Sequence, residues 1–459
     1  MKKELKIALK IYAVTWLVIA ILFFVLFLQR DLAIQDTLKQ GYELLFYSSF
    51  QLFVHLVFLV GYALFLIIRY FIRMFRKKGW QIGLKQLLLR FVLPIVVLIV
   101  GVRAVIYTNS TENIDFSWDY DIENVGGYAN DLYAQDGKHR GMSVFSRRVD
   151  YNQAVDVLVK DNIEWVAVIP FMYQPTERTN QLNIPSEPER WSRRDSSFIR
   201  QINILHEKGI HVQLKPHVWM RDGWRSNITL SEADWDIWFA SYRTHMLRYA
   251  RMAEQLDVEL FCVGTELRTA IQEKPDAWMA LIAEIQSVYT GKLTYAANWD
   301  DPIEAVPFWE AMDYIGIQAY FPLTEEKLPT LESIKKGWEQ HLPKLEQAAS
   351  QWKRPILFTE VGYRSDASAT IKPWEWGSSF GVLSEKKSDE TQRRAFEALF
   401  QQLWDKSWFA GCYVWQWHTS STPESMAKNV DFTPRFKPAE NTLTKWYGTL
   451  GAETIIAVD

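Results

Sequence analysis

Two stretches of this chain are apolar runs that end in a carboxylate: Phe261-Cys262-Val263-Gly264-Thr265-Glu266-Leu267 and Pro355-Ile356-Leu357-Phe358-Thr359-Glu360-Val361-Gly362. Each run is apolar on both faces over about five to seven residues, the pattern of a strand buried in a parallel sheet. A charge inside such a strand is costly, so Glu266 and Glu360 are placed at the C-terminal ends of their strands. Two carboxylates converging there are the minimum equipment for breaking a glycosidic bond. One protonates the departing oxygen while the other attacks the sugar carbon. The competing reading of the pair is a structural ion-pair network, or a barrel that binds glycans without turnover. A lone Glu ending a strand would not decide between these; two on strands that share a face favour catalysis.

The elements that must position the pair follow from the pattern between Gly141 and Gly448. Short apolar runs alternate there with amphipathic helical stretches. The expected strands are Gly141–Phe145, Ile163–Pro170, Ile210–Leu214, Val258–Gly264, Leu293–Ala297, Tyr314–Ala319, Ile356–Thr359 and Ala410–Val414. The intervening helices are expected over Val149–Asp161, Ser196–Lys208, Glu232–Gln255, Asp276–Tyr289, Pro302–Met312, Leu331–Gln351 and Asp389–Lys406, with a last short one over Asn441–Gly448. Eight strand–helix units in about 320 residues predict an α/β fold, a closed (β/α)8 TIM barrel. An open doubly wound sheet fits less well, because no Gly-rich phosphate turn follows the first strand. No GxSxG elbow, HExxH or P-loop is present either.

In a barrel the residues following each strand share one face, and here they form a coherent set. The third strand delivers Lys215, His217, Trp219 and Arg225; the fourth Glu266; the fifth Asn298 and Trp299; the sixth Tyr320; the seventh Glu360; the eighth Trp415. Flat C–H faces of sugars stack on aromatic rings, while Lys, His, Arg and Asn bond hydroxyls, so this mixture suits a saccharide cleft. Trp235, Trp238, Trp278 and Trp404 lie on helical stretches and are read as core, whereas Trp219, Trp299 and Trp415 are read as cleft. Lys215 and Arg225 are expected to contact substrate or the carboxylates, although Arg225 also fits a surface loop cation. His217 lacks the companions of a metal site, so no metal and no organic cofactor is expected.

Four motifs carry a family resemblance: Leu214-Lys215-Pro216-His217-Val218-Trp219, Gly264-Thr265-Glu266-Leu267, Asp313-Tyr314-Ile315-Gly316-Ile317-Gln318-Ala319-Tyr320 and Phe358-Thr359-Glu360-Val361-Gly362-Tyr363. Over roughly Arg140 to Gly448 the chain resembles the clan of (β/α)8 glycoside hydrolases with glutamates on strands four and seven. Within that clan it most resembles family 113, known mainly for endo-β-mannanases. The resemblance implies Glu266 as acid/base, Glu360 as nucleophile, Tyr320 as the hydroxyl that bonds the nucleophile and Trp415 as the sugar platform. Most of the clan has Asn immediately before the acid/base; Thr265 stands here, the variant associated with family 113.

The first 107 residues are of another kind. Three apolar runs, Ile7–Leu28, Leu44–Ile68 and Leu87–Tyr107, each approach the roughly 20 residues that cross a bilayer. The first is too long for a signal-peptide core and lacks a small-residue cleavage site, so it reads as a retained anchor. Lys2, Lys3, Lys6 and Lys10 precede the first run, and seven cations from Arg69 to Arg90 fill the second connection, against only Arg30 and Lys39 in the first. Cations collect on the cytoplasmic side, which predicts three transmembrane helices with the N-terminus inside. The expected organisation is a multi-pass inner-membrane anchor over 1–107, a linker over 108–138 and an extracytoplasmic barrel over 139–459. Arg103 lies near the outer end of the third run, where it can snorkel to the headgroups.

Residues 1–107 hold 14 Lys and Arg and 4 Asp and Glu, a net of +10, so with the whole chain at −3 the remainder carries −13. An acidic exterior is a poor nucleic-acid binder. The expected partners are therefore a poly- or oligosaccharide and the lipid bilayer. The two cysteines, Cys262 and Cys412, fall on the fourth and eighth strands and read as buried free thiols.

Overall fold

The computed structural model describes residues 2–28, 48–112, 128–145, 151–184, 188–377, 381–427 and 429–454. Arg30, Lys39, residues 113–127 of the expected linker and the first two residues of the helix expected from Val149 lie outside them. The chain divides into two compact units, Met1–Ala104 and Val105–Asp459.

The first unit is helical. Helices Lys2–Leu28 and Ser48–Lys78 pack through aromatic side chains, with Trp16 edge-on to Phe50 at 6.0 Å and Tyr12 edge-on to Phe58 at 5.0 Å. After Gly79 a single helical rod follows, with one π-helical segment at Leu88–Val92. Among the described residues two stretches, Phe50–Lys78 and Trp80–Ser110, are long and apolar enough to cross a membrane, against the three expected. Their apolar side chains are largely exposed.

Among the described residues of the second unit ten strands run in chain order: β1 (His139–Phe145), β2 (Trp165–Val168), β3 (Phe171–Gln174), β4 (His211–Leu214), β5 (His217–Met220), β6 (Leu260–Thr265), β7 (Lys292–Asn298), β8 (Tyr314–Gln318), β9 (Ile356–Val361) and β10 (Phe409–His418). Eight of them close a parallel barrel in the order β1-β2-β4-β6-β7-β8-β9-β10. All eight expected barrel strands are present. Cys262 and Cys412 are buried and unbridged, on β6 and β10.

Helix starts follow the local chemistry. Ser231, Thr330 and Ser388 each accept the N–H three residues on, capping helices Glu232–Gln255, Leu331–Glu339 and Asp389–Leu403. The helix-borne tryptophans Trp235, Trp238, Trp278 and Trp404 are all buried between helices and strands, as expected.

Three departures from expectation have local causes. The helix expected over Pro302–Met312 is two 3-10 turns, Ile303–Ala305 and Trp309–Ala311, because Pro307 interrupts any continuous helix. The single helix expected over Leu331–Gln351 is two, since Pro343 starts the second, Leu342–Trp352, in its first turn. Beyond the mouth, β3 and β5 form a separate two-stranded parallel sheet continuing from β2 and β4, with Phe171 opposite His217 and Tyr173 opposite Trp219. Pro170 and Pro216 break each strand pair, and the residues after them read as loop in the sequence.

Register irregularities include ones near the C-terminal ends of two barrel strands, between Cys262 and Thr265 on β6 and between Ile317 and Gln318 on β8; others lie between Met142 and Val144 on β1 and on either side of Cys412 on β10. Such bulges re-aim side chains where a strand leaves the ladder. Those on β6 and β8 occur on strands that deliver the carboxylates or their neighbours.

Candidate active site

Glu360 is the fifth residue of β9 and is almost wholly buried. A buried carboxylate must be paired and hydrogen-bonded, and three neighbouring side chains do this. The Lys215 ammonium at the end of β4 donates to Oε2 at 3.0 Å, and the Gln318 amide at the end of β8 donates to the same oxygen at 3.0 Å. The Tyr320 hydroxyl donates to Oε1 at 2.5 Å. Lys215 itself is fully buried and is fixed by Gln318 Oε1 at 2.8 Å and the Thr359 carbonyl at 2.9 Å. Three strand ends thus converge on one carboxylate plane.

Glu266 directly follows β6 with a left-handed backbone, φ 52°. A non-glycine residue there is strained by roughly 1–2 kcal/mol and needs support on both sides. Its N–H donates to the Ala296 carbonyl at 2.9 Å, and Ser226 Oγ donates to its carbonyl at 2.8 Å. The side chain turns into the mouth, where Oε2 takes the Arg225 guanidinium at 3.0 Å and the Trp224 indole N–H at 3.2 Å. Arg225 is therefore an ion-pair partner and not a free surface cation.

The charges of both glutamates reach one neighbour, and those of the cations paired with them reach another. Burial pushes the Tyr320 phenol well up, and the charge of Glu360 and then of Glu266 pushes it further, so it remains a donor. Burial holds His217 well below the usual imidazole range, and Lys215 and Arg225 both add to this. His217 is buried, this shift favours its neutral form, and among the described residues its Nε2 has no hydrogen-bond partner. A neutral imidazole with a free nitrogen can serve a hydroxyl.

The remaining expected residues surround this centre. Trp415, 8 % exposed, packs with Tyr320 and Phe432 in one aromatic cluster, and among the described residues its indole nitrogen has no hydrogen-bond partner. Its peptide bond to Gln416 is cis. Trp299 packs against that cluster and stacks on Trp374 at 4.8 Å. Asn298 is turned to its own loop, donating to Asp300 at 2.5 Å. Trp219 is 51 % exposed and lies farther out, linked inward by Phe171 at 5.6 Å. Sequence reasoning missed Gln318 and Trp224 as carboxylate partners. Gln318 had a usable signal, an amide ending an apolar strand; Trp224 had none, since its reach to Glu266 depends on the fold of the 221–227 loop.

The model of Glycoside Hydrolase Family 113 matches residues 144–437. Among solved structures the chain is similar to a family 113 β-mannanase from Alicyclobacillus acidocaldarius in complex with ManMIm. The two are 26 % identical with a TM-score of 0.59, covering 68 % of this chain and 97 % of that one. A second, described as a family 113 β-1,4-mannanase, is 25 % identical with a TM-score of 0.59, covering 67 % of this chain and 98 % of that one. No match was found among curated proteins. With the family pattern spanning most of a closed eight-stranded barrel, this chain belongs to glycoside hydrolase family 113.

Proposed function

We propose that this glycoside hydrolase is a membrane-anchored retaining enzyme that cleaves β-linked, mannan-type glycans by double displacement. Glu360 is the nucleophile and Glu266 the acid/base. The observation that carries this reading is the unequal setting of two buried glutamates around one tyrosine: Glu360 is saturated by three donors, Glu266 by an arginine and an indole. In the first step a Glu360 oxygen bonds to the anomeric carbon while the bond to the leaving oxygen breaks and Glu266 gives that oxygen its proton. In the second, Glu266 takes a proton from water, whose oxygen displaces Glu360. Two inversions give net retention. Lys215, Gln318 and Tyr320 fix the plane of the attacking carboxylate, and Arg225 faces Glu266 in the ionised form it takes between the steps.

Trp415 and Trp299 are the proposed sugar platforms, with His217, Asn298 and Trp219 as further contacts. The mannan assignment rests on what the two similar structures are described as acting on. The anchor reading adds three spans with the N-terminus inside and the barrel extracytoplasmic, supported by the two apolar helices and the distribution of Lys and Arg. The decisive experiment follows β-1,4-mannan cleavage by NMR. The first-formed reducing end is expected to be β, and Glu266→Gln and Glu360→Gln are each expected to lower kcat by at least about 10²–10⁴-fold. A first-formed α product, or binding of mannan without turnover by the parent protein, overturns the reading in favour of inversion or of an inactive glycan-binding barrel.

A further inference from the structure

The turn that carries Glu266 is tied to two neighbouring strand ends by a residue that the proposed mechanism does not use. Arg268 stands two places after Glu266, at the start of the short helix Arg268–Glu273. Its guanidinium carbon lies 5.6 Å from the centre of the Trp224 ring, the indole whose N–H donates to Glu266 Oε2 at 3.2 Å. The same guanidinium donates to Asp300 Oδ1 at 2.7 Å and to Asp301 Oδ1, both in the turn after β7. Asp301 is buried and accepts the Asn298 backbone N–H at 3.0 Å. Arg268 therefore joins the loops that follow β5, β6 and β7.

An exposed arginine paired with one aspartate would be a surface contact of little worth. This one differs in three respects. Its side chain is only 27 % exposed, and two carboxylates restrain it. The loop that bears Trp224 has little slack: Ser226 Oγ donates to the Glu266 carbonyl at 2.8 Å, Thr269 Oγ1 donates to the Ser226 carbonyl, and Glu177 accepts the Trp224 backbone N–H at 2.9 Å. Gly223 before it has φ 95°, and a Cβ there would lie 2.5 Å from Glu177 Cγ, so the loop tip closes only around glycine. Finally, a cation over an indole face draws on the ring's electrons and makes its N–H a stronger donor.

Both partners of Glu266, Arg225 and Trp224, hold Oε2. An oxygen already taken by two donors is a poor place for a proton, so the acid form carries its proton on Oε1. Displacing Trp224 would let Oε2 compete for that proton and turn it away from the leaving oxygen.

We propose that Arg268 is a positioning residue for acid catalysis: held by Asp300 and Asp301 and lying over Trp224, it fixes the indole that keeps the proton of Glu266 on the oxygen aimed at the leaving group. The inference rests on the acid/base reading of Glu266 and adds a residue that acts through Trp224 and not on the reacting atoms.

The test compares two substrates on the purified full chain. One is β-1,4-mannotriose, whose sugar leaving group must be protonated; the other is 2,4-dinitrophenyl β-mannobioside, whose leaving group departs without a proton. Arg268→Met keeps the reach of the side chain and removes its charge and donors. It is expected to lower kcat/KM about tenfold for the trisaccharide and by less than about twofold for the dinitrophenyl glycoside. Asp301→Asn, which weakens the hold on Arg268, is expected to give a smaller split of the same kind and decides the matter if the methionine variant does not fold. Equal losses on both substrates, or none on either, overturn the proposal, because a merely structural role does not sense the leaving group. Glu266→Gln is the reference, with an expected split of at least about 100-fold. A split there with none in the other two variants sinks the positioning role alone, whereas no split in Glu266→Gln removes the acid/base reading beneath it.

Discussion

Tyr320 separates orientation of the proposed nucleophile, Glu360, from its charge balance. Its hydroxyl donates to Glu360 Oε1, while Lys215 and Gln318 hold the other oxygen. Tyr320→Phe removes one donor and leaves the ring packed on Phe432 at 6.1 Å. A hydrogen bond to a charged group contributes about 1.5–3 kcal/mol, so kcat/KM is expected to fall roughly 10–150-fold with little change in Tm. Circular-dichroism melts beside steady-state kinetics check this; a large drop in Tm with proportionate activity would make the hydroxyl structural. At this scale the sequence was legible wherever a charged or aromatic residue ended an apolar strand, as with Glu360, Tyr320 and Lys215. It was opaque where a loop folds back. Trp224 and Asn298 are both mouth residues by position, yet one reaches Glu266 and the other bonds its own turn, and strand order does not distinguish them.

The barrel is weakest in strand pairing between β4 and β6, which share only the Gln213–Leu260 and Leu214–Phe261 pairs. Glu259, just before β6, compensates. Its carboxylate accepts from the Val212 N–H at 2.8 Å and contacts His211 at 3.1 Å and His206 at 3.3 Å. Burial opposes its ionisation, but the bonds from His206, His211 and Val212 prevail and hold its pKa down at about 2. A carboxyl depressed in the folded state stabilises above its ordinary value of 4.5, and that gain is lost as pH falls toward 2. His211 is raised despite its burial, by its bond to Glu259, so its share is present below 6.5 and is lost as pH rises beyond that. The bridge is therefore strongest between about pH 4.5 and 6.5. With the Glu259 side chain 32 % exposed, Glu259→Gln is expected to cost about 1–2 kcal/mol in that window, and less on either side. Denaturant melts across pH test it, and a pH-independent difference would remove ionisation from the account.

Gly337 poses a second contest between local and tertiary terms, inside the helix Leu331–Glu339. Replacing a mid-helix glycine by alanine normally gains about 1 kcal/mol. Here an added Cβ would sit 2.0 Å from the Leu323 carbonyl oxygen, in the loop after β8, and backbone cannot swing aside. Overpacking of this kind costs about 1–3 kcal/mol or more, so Gly337→Ala is expected to lower stability; a rise in Tm would show that the loop yields. Strand order and the alternation with helices were readable because each buried parallel strand is a continuous apolar run. The β3–β5 extension was not. Its strands are only four residues long, each exposes one aromatic side chain, and each is separated from β2 or β4 by a short Pro-containing step, which in sequence resembles loop.

At the scale of the whole chain, charge is segregated: +10 on the first 107 residues and −13 on the rest. Segregation of this kind opposes a uniformly water-exposed protein, because the basic part also carries two helices whose apolar residues are exposed over most of their length. Under the proposed anchor reading these helices sit in a hydrocarbon phase, and the cations in the connection after Ile68 would mark the side on which that connection stays. The proposed arrangement therefore makes a paired prediction. The full chain is expected to remain in the membrane fraction through an alkaline carbonate wash. Protease added outside cells whose outer barriers have been opened is expected to digest the barrel while sparing fragments that contain Lys77 and Lys78. Release by carbonate would reduce the apolar helices to a peripheral attachment. Protection of the barrel with cleavage near Lys77 would reverse the orientation and place the glutamate pair on the side where the extracellular glycan is absent.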